Sequence, residues 1–354
     1  MATIGRLFIN LQQVRQVPRI LTEATPSMPG TVLDSEVPVY FRETHVHTGY
    51  RPLHQGWRYY FLSMFQRHNE TVNVWSHLVG ALLVLEKLGR LSETVDFAGD
   101  PHAWPLLVLL LSSWAYMTFS ATAHLLGSKS ELCHYAFFFL DYVGVAQYQY
   151  GSAAVHFYYA VEEDWHTHVR TVFMPVAVLL CCLSCLGCCY GKYQNHTLPT
   201  WVRKVGQVMP SAMAYAWDTS PVFHRLFSWL LVKGNALSDD PALAFHCGQV
   251  GFFLCSAFFF THPLPERWFP GHFDFLGQGH QIFHVLLVLC TLCQIQASYL
   301  DYVGRRALYT RLHTDGAAEL FAGTYAFTLL ACAGIAVAMI RKVRQLLNNR
   351  DKSK

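Results

Sequence analysis

Charged side chains make up only 14% of the 354 residues, whereas a soluble globular domain carries about 25%. That shortage excludes an ordinary water-facing surface over such a length. A strong basic excess is missing too. The net charge is +3 and its carriers are dispersed, which excludes nucleic acid as a partner. No short apolar core behind a basic start opens the chain, so a cleaved secretory signal is not expected. Paired cysteine spacing is likewise lacking. The eleven cysteines, an odd number, all lie in or beside apolar runs, which argues against a disulfide framework. Cys181, Cys182, Cys185, Cys188 and Cys189 contain C-x-x-C spacing without a second half, so apolar packing is preferred to a thiolate zinc site. Cys188 and Cys189 fall at an expected helix end, where palmitate is a further option.

What is abundant is apolar surface: 53% of residues are hydrophobic and 15% aromatic. Apolar runs near the roughly 20 residues that span a bilayer occupy 71–88, 104–126, 133–160, 171–190, 205–223, 242–262, 279–299 and 317–340. The expectation is an all-α integral membrane protein, a seven-helix transmembrane bundle with an eighth C-terminal span. Its parts are a cytoplasmic N-terminal segment (1–70), the bundle (71–340) and a basic cytoplasmic tail (341–354). Within the first part, residues 1–21 carry Arg6, Arg15 and Arg19 without an acid, a pattern of a transit peptide or of an amphipathic helix on the membrane surface, and the multi-span body that follows favours the surface helix. With the N-terminus inside, eighteen of the 26 Lys and Arg fall on the cytoplasmic side and eight outside, as the positive-inside rule requires. Arg305, Arg306 and Arg311, in the seventh connection, go against that scheme. The sequons at Asn69 and Asn195 would both face the cytoplasm and stay unglycosylated.

Among nineteen histidines there is one H-x-x-x-H pair, His280 and His284, about what chance supplies. Its position matters more. Four residues apart, the two share one face at the start of the seventh run. His124 closes the second run at the same membrane level, with Ser120 one turn earlier. Asp141 stands eight residues into the third, about 12 Å at 1.5 Å per residue. Ionisable groups inside spans are costly and turn toward the bundle interior. Three imidazoles with an open fourth position make a plausible tetrahedral zinc site, with Asp141 able to orient a water. Interior polar residues that hydrogen-bond helices together account equally well for the same pattern.

Glu70-Thr-Val-Asn73-Val-Trp75-Ser76-His77, Ser120-x-x-x-His124, Asp141-Tyr-Val-Gly144 and Gly279-His280-Gln-Ile-Phe-His284 together resemble the progestin and adipoQ receptor family. The likeness runs from Val37 through the eighth run. Gly49-Tyr-Arg-Pro-Leu-His-Gln, Asp218-x-Ser-Pro-Val and Glu266-Arg-Trp-Phe-Pro-Gly are similar to its progestin branch, which the eighth run also suits. The resemblance implies a zinc ion on His124, His280 and His284, with Asp141 near its water. It further implies a plasma-membrane receptor for a progestin steroid that acts through an inhibitory heterotrimeric G protein. In the family's other branch the equivalent site is linked to ceramide hydrolysis. A zinc-dependent lipid amide hydrolase using Asp141 and Ser120 is therefore the alternative.

The remaining polar residues are weighed on their own chemistry. Glu70, Asn73 and His77 form a stripe at the mouth of the first run, read as interhelical hydrogen bonding. Asp218, just before Ser220-Pro221, either contacts a ligand or pairs with Arg225. Gln147 and Gln149 lie beyond Asp141, where an amide donor would suit a steroid ketone in an apolar pocket.

Overall fold

A computed structural model of the chain describes residues 28–194, 199–233, 240–313 and 316–352. The surface helix expected in residues 1–21 and the sequon at Asn195 lie outside the described residues. The helices are α1 (Trp57–Leu62), α2 (Thr71–Ser92), α3 (Trp104–Leu126), α4 (Glu131–Val155), α5 (Glu163–Val169), α6 (Phe173–Tyr193), α7 (Thr200–Asp218), α8 (Ser220–Ser228), α9 (Pro241–Thr261), α10 (Gly279–Gly304), α11 (Arg306–Leu312) and α12 (Ala317–Lys352). Among the described residues there is no β-strand, only an isolated bridge between Val32 and Tyr50. The protein is all-helical, and five helices are long and apolar enough to cross a membrane: α3 with its flanking turns, α6, α9, α10 and α12.

The other three expected runs also form helices, but more polar ones. α2 carries Glu86, Lys87 and Arg90 near its end, and α4 carries Asp141, Gln147 and Gln149. The run expected over 205–223 is not continuous, because α7 ends at Asp218 and α8 begins at Ser220. Pro221 lacks the N–H that would continue the ladder, and the helix breaks just before it. At the other end of the chain, α12 extends through residues 341–352 as one helix.

Helix starts follow from local chemistry. Ser130 accepts a hydrogen bond from the Cys133 N–H at the head of α4, and Asp240 does the same for Ala242 at the head of α9, with Pro241 in the first turn. Around the bundle α2, α3, α4, α6 and α7 pack in sequence. α10 packs on α9, α2 and α3, while α12 lies against α4 and α6. Tyr215 of α7 stacks on Phe253 of α9 at 3.6 Å and helps close the circuit. Gly144 lets α3 and α4 come close: a Cβ there would lie 2.8 Å from the Tyr116 Cα.

The arginines that went against the charge scheme have specific partners. Arg305 donates to the carbonyls of Ala160 and Val161 and pairs with Glu162, Arg306 pairs with Asp100, and Arg311 with Glu163. They bind acids of the other connections at that end, so their count says little about orientation.

Candidate metal centre

Residues 28–70 form a strap across one end of the bundle. Arg51 is its main fastening. Buried among the last turns of α3, it donates to the carbonyls of His124 (2.6 Å) and Leu125 (2.5 Å) and to the hydroxyls of Ser63 and Ser128. The C-terminal carbonyls of a helix otherwise lack partners, and here a guanidinium supplies them. Arg51 thereby fixes the turn that carries His124.

His124 in the last turn of α3 meets His280 and His284 in the first turns of α10. One nitrogen from each lies within 4.8 Å of the others. His124 Nε2 and His280 Nε2 are 3.5 Å apart. Tetrahedral zinc with Zn–N bonds of about 2.05 Å sets ligand nitrogens about 3.3 Å apart, so three imidazoles in this arrangement fit such an ion with little movement. His124 and His284 are buried and His280 is partly exposed, leaving one side of the cluster open.

The polar stripe on α2 supports this cluster. His124 Nδ1–H donates to Glu70 Oε2 at 2.7 Å, and the Asn73 amide donates to the same oxygen at 2.6 Å. Burial opposes ionisation of Glu70, but the His124 imidazole, the Asn73 amide and His280 outweigh it and hold the carboxyl below its usual range. With Nδ1 committed to Glu70, His124 presents Nε2 to the cluster. His77 stacks on His284 at 3.8 Å, nearly parallel, and Ser76 Oγ lies 3.5 Å from His284 Nδ1. A recess lined by Glu43, Tyr50, Arg51, Glu70, His124 and Phe138 opens beside the cluster.

The other sequence candidates are placed as follows. Asp141 is buried with Oδ1 unpartnered, and its carboxylate does not join the three-nitrogen group. Ser120 is buried on α3, one turn before His124. Gln147 is buried with neither amide atom hydrogen-bonded, and Gln149 has its oxygen unpartnered. Asp218 is not the partner of Arg225. That guanidinium is taken by both oxygens of Asp301 and by Asp240, because α8 turns its face toward α10 after the break. The Cys181–Cys189 cluster holds free thiols packed in part against Cys332 of α12, and among the described residues it makes no compact ligand group.

A model of the haemolysin-III-related family matches residues 65–295, which contain all three histidines. Full-length relatives are also similar. Membrane progestin receptor alpha-B of Danio rerio is 56% identical over 352 residues, covering 99% of each chain. Membrane progestin receptor alpha of Homo sapiens is 49% identical over 349 residues, 99% of this chain and 98% of its own. Membrane progestin receptor beta of Sus scrofa is 45% identical over 351 residues, 98% of each.

Proposed function

The chain belongs to the haemolysin-III-related family, the progestin and adipoQ receptors, and from that membership we propose that it is a plasma-membrane progestin receptor. The observation that carries this reading is similarity over almost the full length to proteins named membrane progestin receptors. Seven helices form the bundle and α12 adds an eighth span. The N-terminus faces the cytoplasm, as does the histidine end, and an inhibitory G protein engages that side. The unpartnered amide of Gln147 sits in an apolar interior and can donate to a steroid ketone, whereas a satisfied amide could not.

His124, His280 and His284 would hold a zinc ion between α3 and α10, Glu70 orients His124, and the ion would supply Lewis acidity when bound. A second reading, hydrolysis of a lipid amide, is favoured by one observation: the buried, unpartnered Oδ1 of Asp141. In a hydrolase that carboxylate accepts a proton from the attacking water, and losing a general base costs about 10²–10⁴ in rate. In a receptor it is dispensable.

The test is radiolabelled progestin binding and inhibition of cyclic AMP at equal surface expression. Wild type is expected to bind saturably and to lower cyclic AMP. Gln147→Leu should weaken binding, and Asp141→Asn should leave both responses intact. Loss of signalling in Asp141→Asn with normal steroid binding would transfer the leading role to hydrolysis, with ceramide as first substrate. Absence of saturable binding in wild type would end the receptor reading.

A further inference from the structure

An open groove of about 490 Å³ lies beside the first turn of α2 and shares no residue with the metal centre. That volume is in the range of small-molecule sites. Its apolar wall comes from Met64 and Phe65 of the strap, Val72 and Trp75 of α2, and Phe275 and Leu276 of the α9–α10 connection. Phe65 is 73% exposed and Leu276 71%. Gathered in one groove rather than scattered, such side chains mark a binding surface.

The groove continues into an apolar stripe on α2. Val72, Trp75, Val79 and Leu82 recur at helical spacing, and Val79 and Leu82 are exposed. On a helix of a membrane bundle such a stripe faces lipid. α2 has 22 residues, about 33 Å at 1.5 Å per residue, against a hydrocarbon core of about 30 Å. As a span, it therefore brings its first turn to headgroup level. Trp75 suits that depth: its Nε1–H donates to the Met64 carbonyl at 2.7 Å, and its ring lies 5.9 Å from that of Phe65.

Arg67 supplies the charge. Its guanidinium lies over the Phe275 ring, 4.2 Å from the centroid. The strap holds that ring in place, since a Cβ on Gly49 would fall 2.8 Å from it. The other polar side chains of the lining are committed or buried. Gln66 donates to the Pro29 carbonyl and accepts from the Tyr59 hydroxyl. Thr71 donates to the Gln66 carbonyl and accepts from the His68 N–H. His68 is fully buried, with Nδ1 accepting from the Glu70 N–H. Arg67 is exposed and has no carboxylate partner among the described residues. Stacked on a ring, a guanidinium keeps its N–H edge open, the edge that takes phosphate in bidentate fashion.

We propose that this groove binds an anionic phospholipid of the leaflet at the histidine end, with its phosphate on Arg67 and an acyl chain along Phe65, Trp75 and the α2 stripe. A neutral steroid would leave the guanidinium without an anion. A soluble protein would have to displace lipid from the stripe that continues the groove. In the proposed topology this end is cytoplasmic, where anionic lipids concentrate. The site rests on α2 being a span and does not depend on the receptor reading.

The experiment is native mass spectrometry of the full-length protein in detergent, titrated with phosphatidylserine and, separately, with phosphatidylcholine of the same chains. The first phosphatidylserine should bind about fivefold more tightly, the contribution of one arginine near a charged membrane surface. Arg67→Gln should remove that preference. Leu276→Ser should weaken both lipids several-fold and keep the preference. Arg58→Gln, at an exposed arginine of α1 outside the groove, should change nothing. Equal binding of the two lipids by wild type would overturn the proposal and leave the groove to a protein partner. A full preference retained in Arg67→Gln, its loss in Arg58→Gln, or unchanged binding in Leu276→Ser would each overturn it as well. Glycerophosphoserine, the headgroup without chains, should not displace the lipid at equal concentration; displacement would make this a free-anion site and end the lipid assignment. If Arg67→Gln does not fold, the wild-type lipid ratio and Leu276→Ser still decide the matter.

Discussion

Glu70 does more at the candidate metal centre than its place on a polar stripe implied. Its oxygen accepts from His124 Nδ1 and from the Asn73 amide at once, which fixes both the tautomer and the angle of the ring. Carboxylates behind a ligating imidazole commonly contribute 10–100-fold in metal affinity. Glu70→Gln is therefore expected to weaken zinc about tenfold or more, read by competition with a chromophoric chelator on purified protein. His280→Ala with His284→Ala should remove zinc altogether. Asp141→Asn should retain about one equivalent, since three imidazoles suffice for an open site. Unchanged affinity in Glu70→Gln would reduce the residue to a helix-packing role. The three histidines were legible in sequence because helical spacing and span order put them at one depth. Arg51 was not, since its partners are backbone carbonyls, which leave no trace in side-chain pattern.

At the scale of elements, apolar run length located α3 to the residue, because Trp104 and Leu126 are bounded by turns that interrupt a clean hydrophobic stretch. It did less well where polar residues are buried. α4 and α7 use their polar positions toward neighbours, as Gln147 and Asp218 do, so composition alone understates how deeply they sit. The break after Asp218 was signalled by Ser220-Pro221, but run length concealed it. The close joint between α3 and α4 can be tested directly. A methyl group at Gly144 would come within 2.8 Å of the Tyr116 Cα, a backbone atom that cannot rotate away. Overpacking of this kind costs about 1–3 kcal/mol, so Gly144→Ala should lower the thermal midpoint in detergent. Gly89→Ala is the control. Nothing lies within 4 Å of a Cβ there, and alanine favours the helix by up to about 1 kcal/mol, so its midpoint should stay level or rise. Equal midpoints for the two variants would mean that α3 and α4 separate at no cost.

For the whole molecule, the proposed orientation rests on the distribution of basic residues. Eighteen basic residues on the N-terminal side against eight opposite favour a cytoplasmic N-terminus. The connection between α10 and α12 was the exception, with Arg305, Arg306 and Arg311. Packing explains it: Arg305 is bound by Glu162 and two carbonyls, and the others by Asp100 and Glu163. Such arginines are held by acids of the same end and serve its assembly, so the positive-inside count should be read without them. Removing them leaves eighteen against five. The C-terminus then depends on α12 alone. Residues 321–340 of that helix carry no charge, and it is followed by Arg341, Lys342, Arg344, Arg350 and Lys352, an arrangement that anchors a span with its basic end inside. α12 also packs along α4 and α6, which an element lying on the surface would not do. Epitope tags at the two ends should both be hidden in intact cells and both appear on permeabilisation. A C-terminal tag that stains intact cells would mean that α12 does not cross, leaving seven spans and an outside tail.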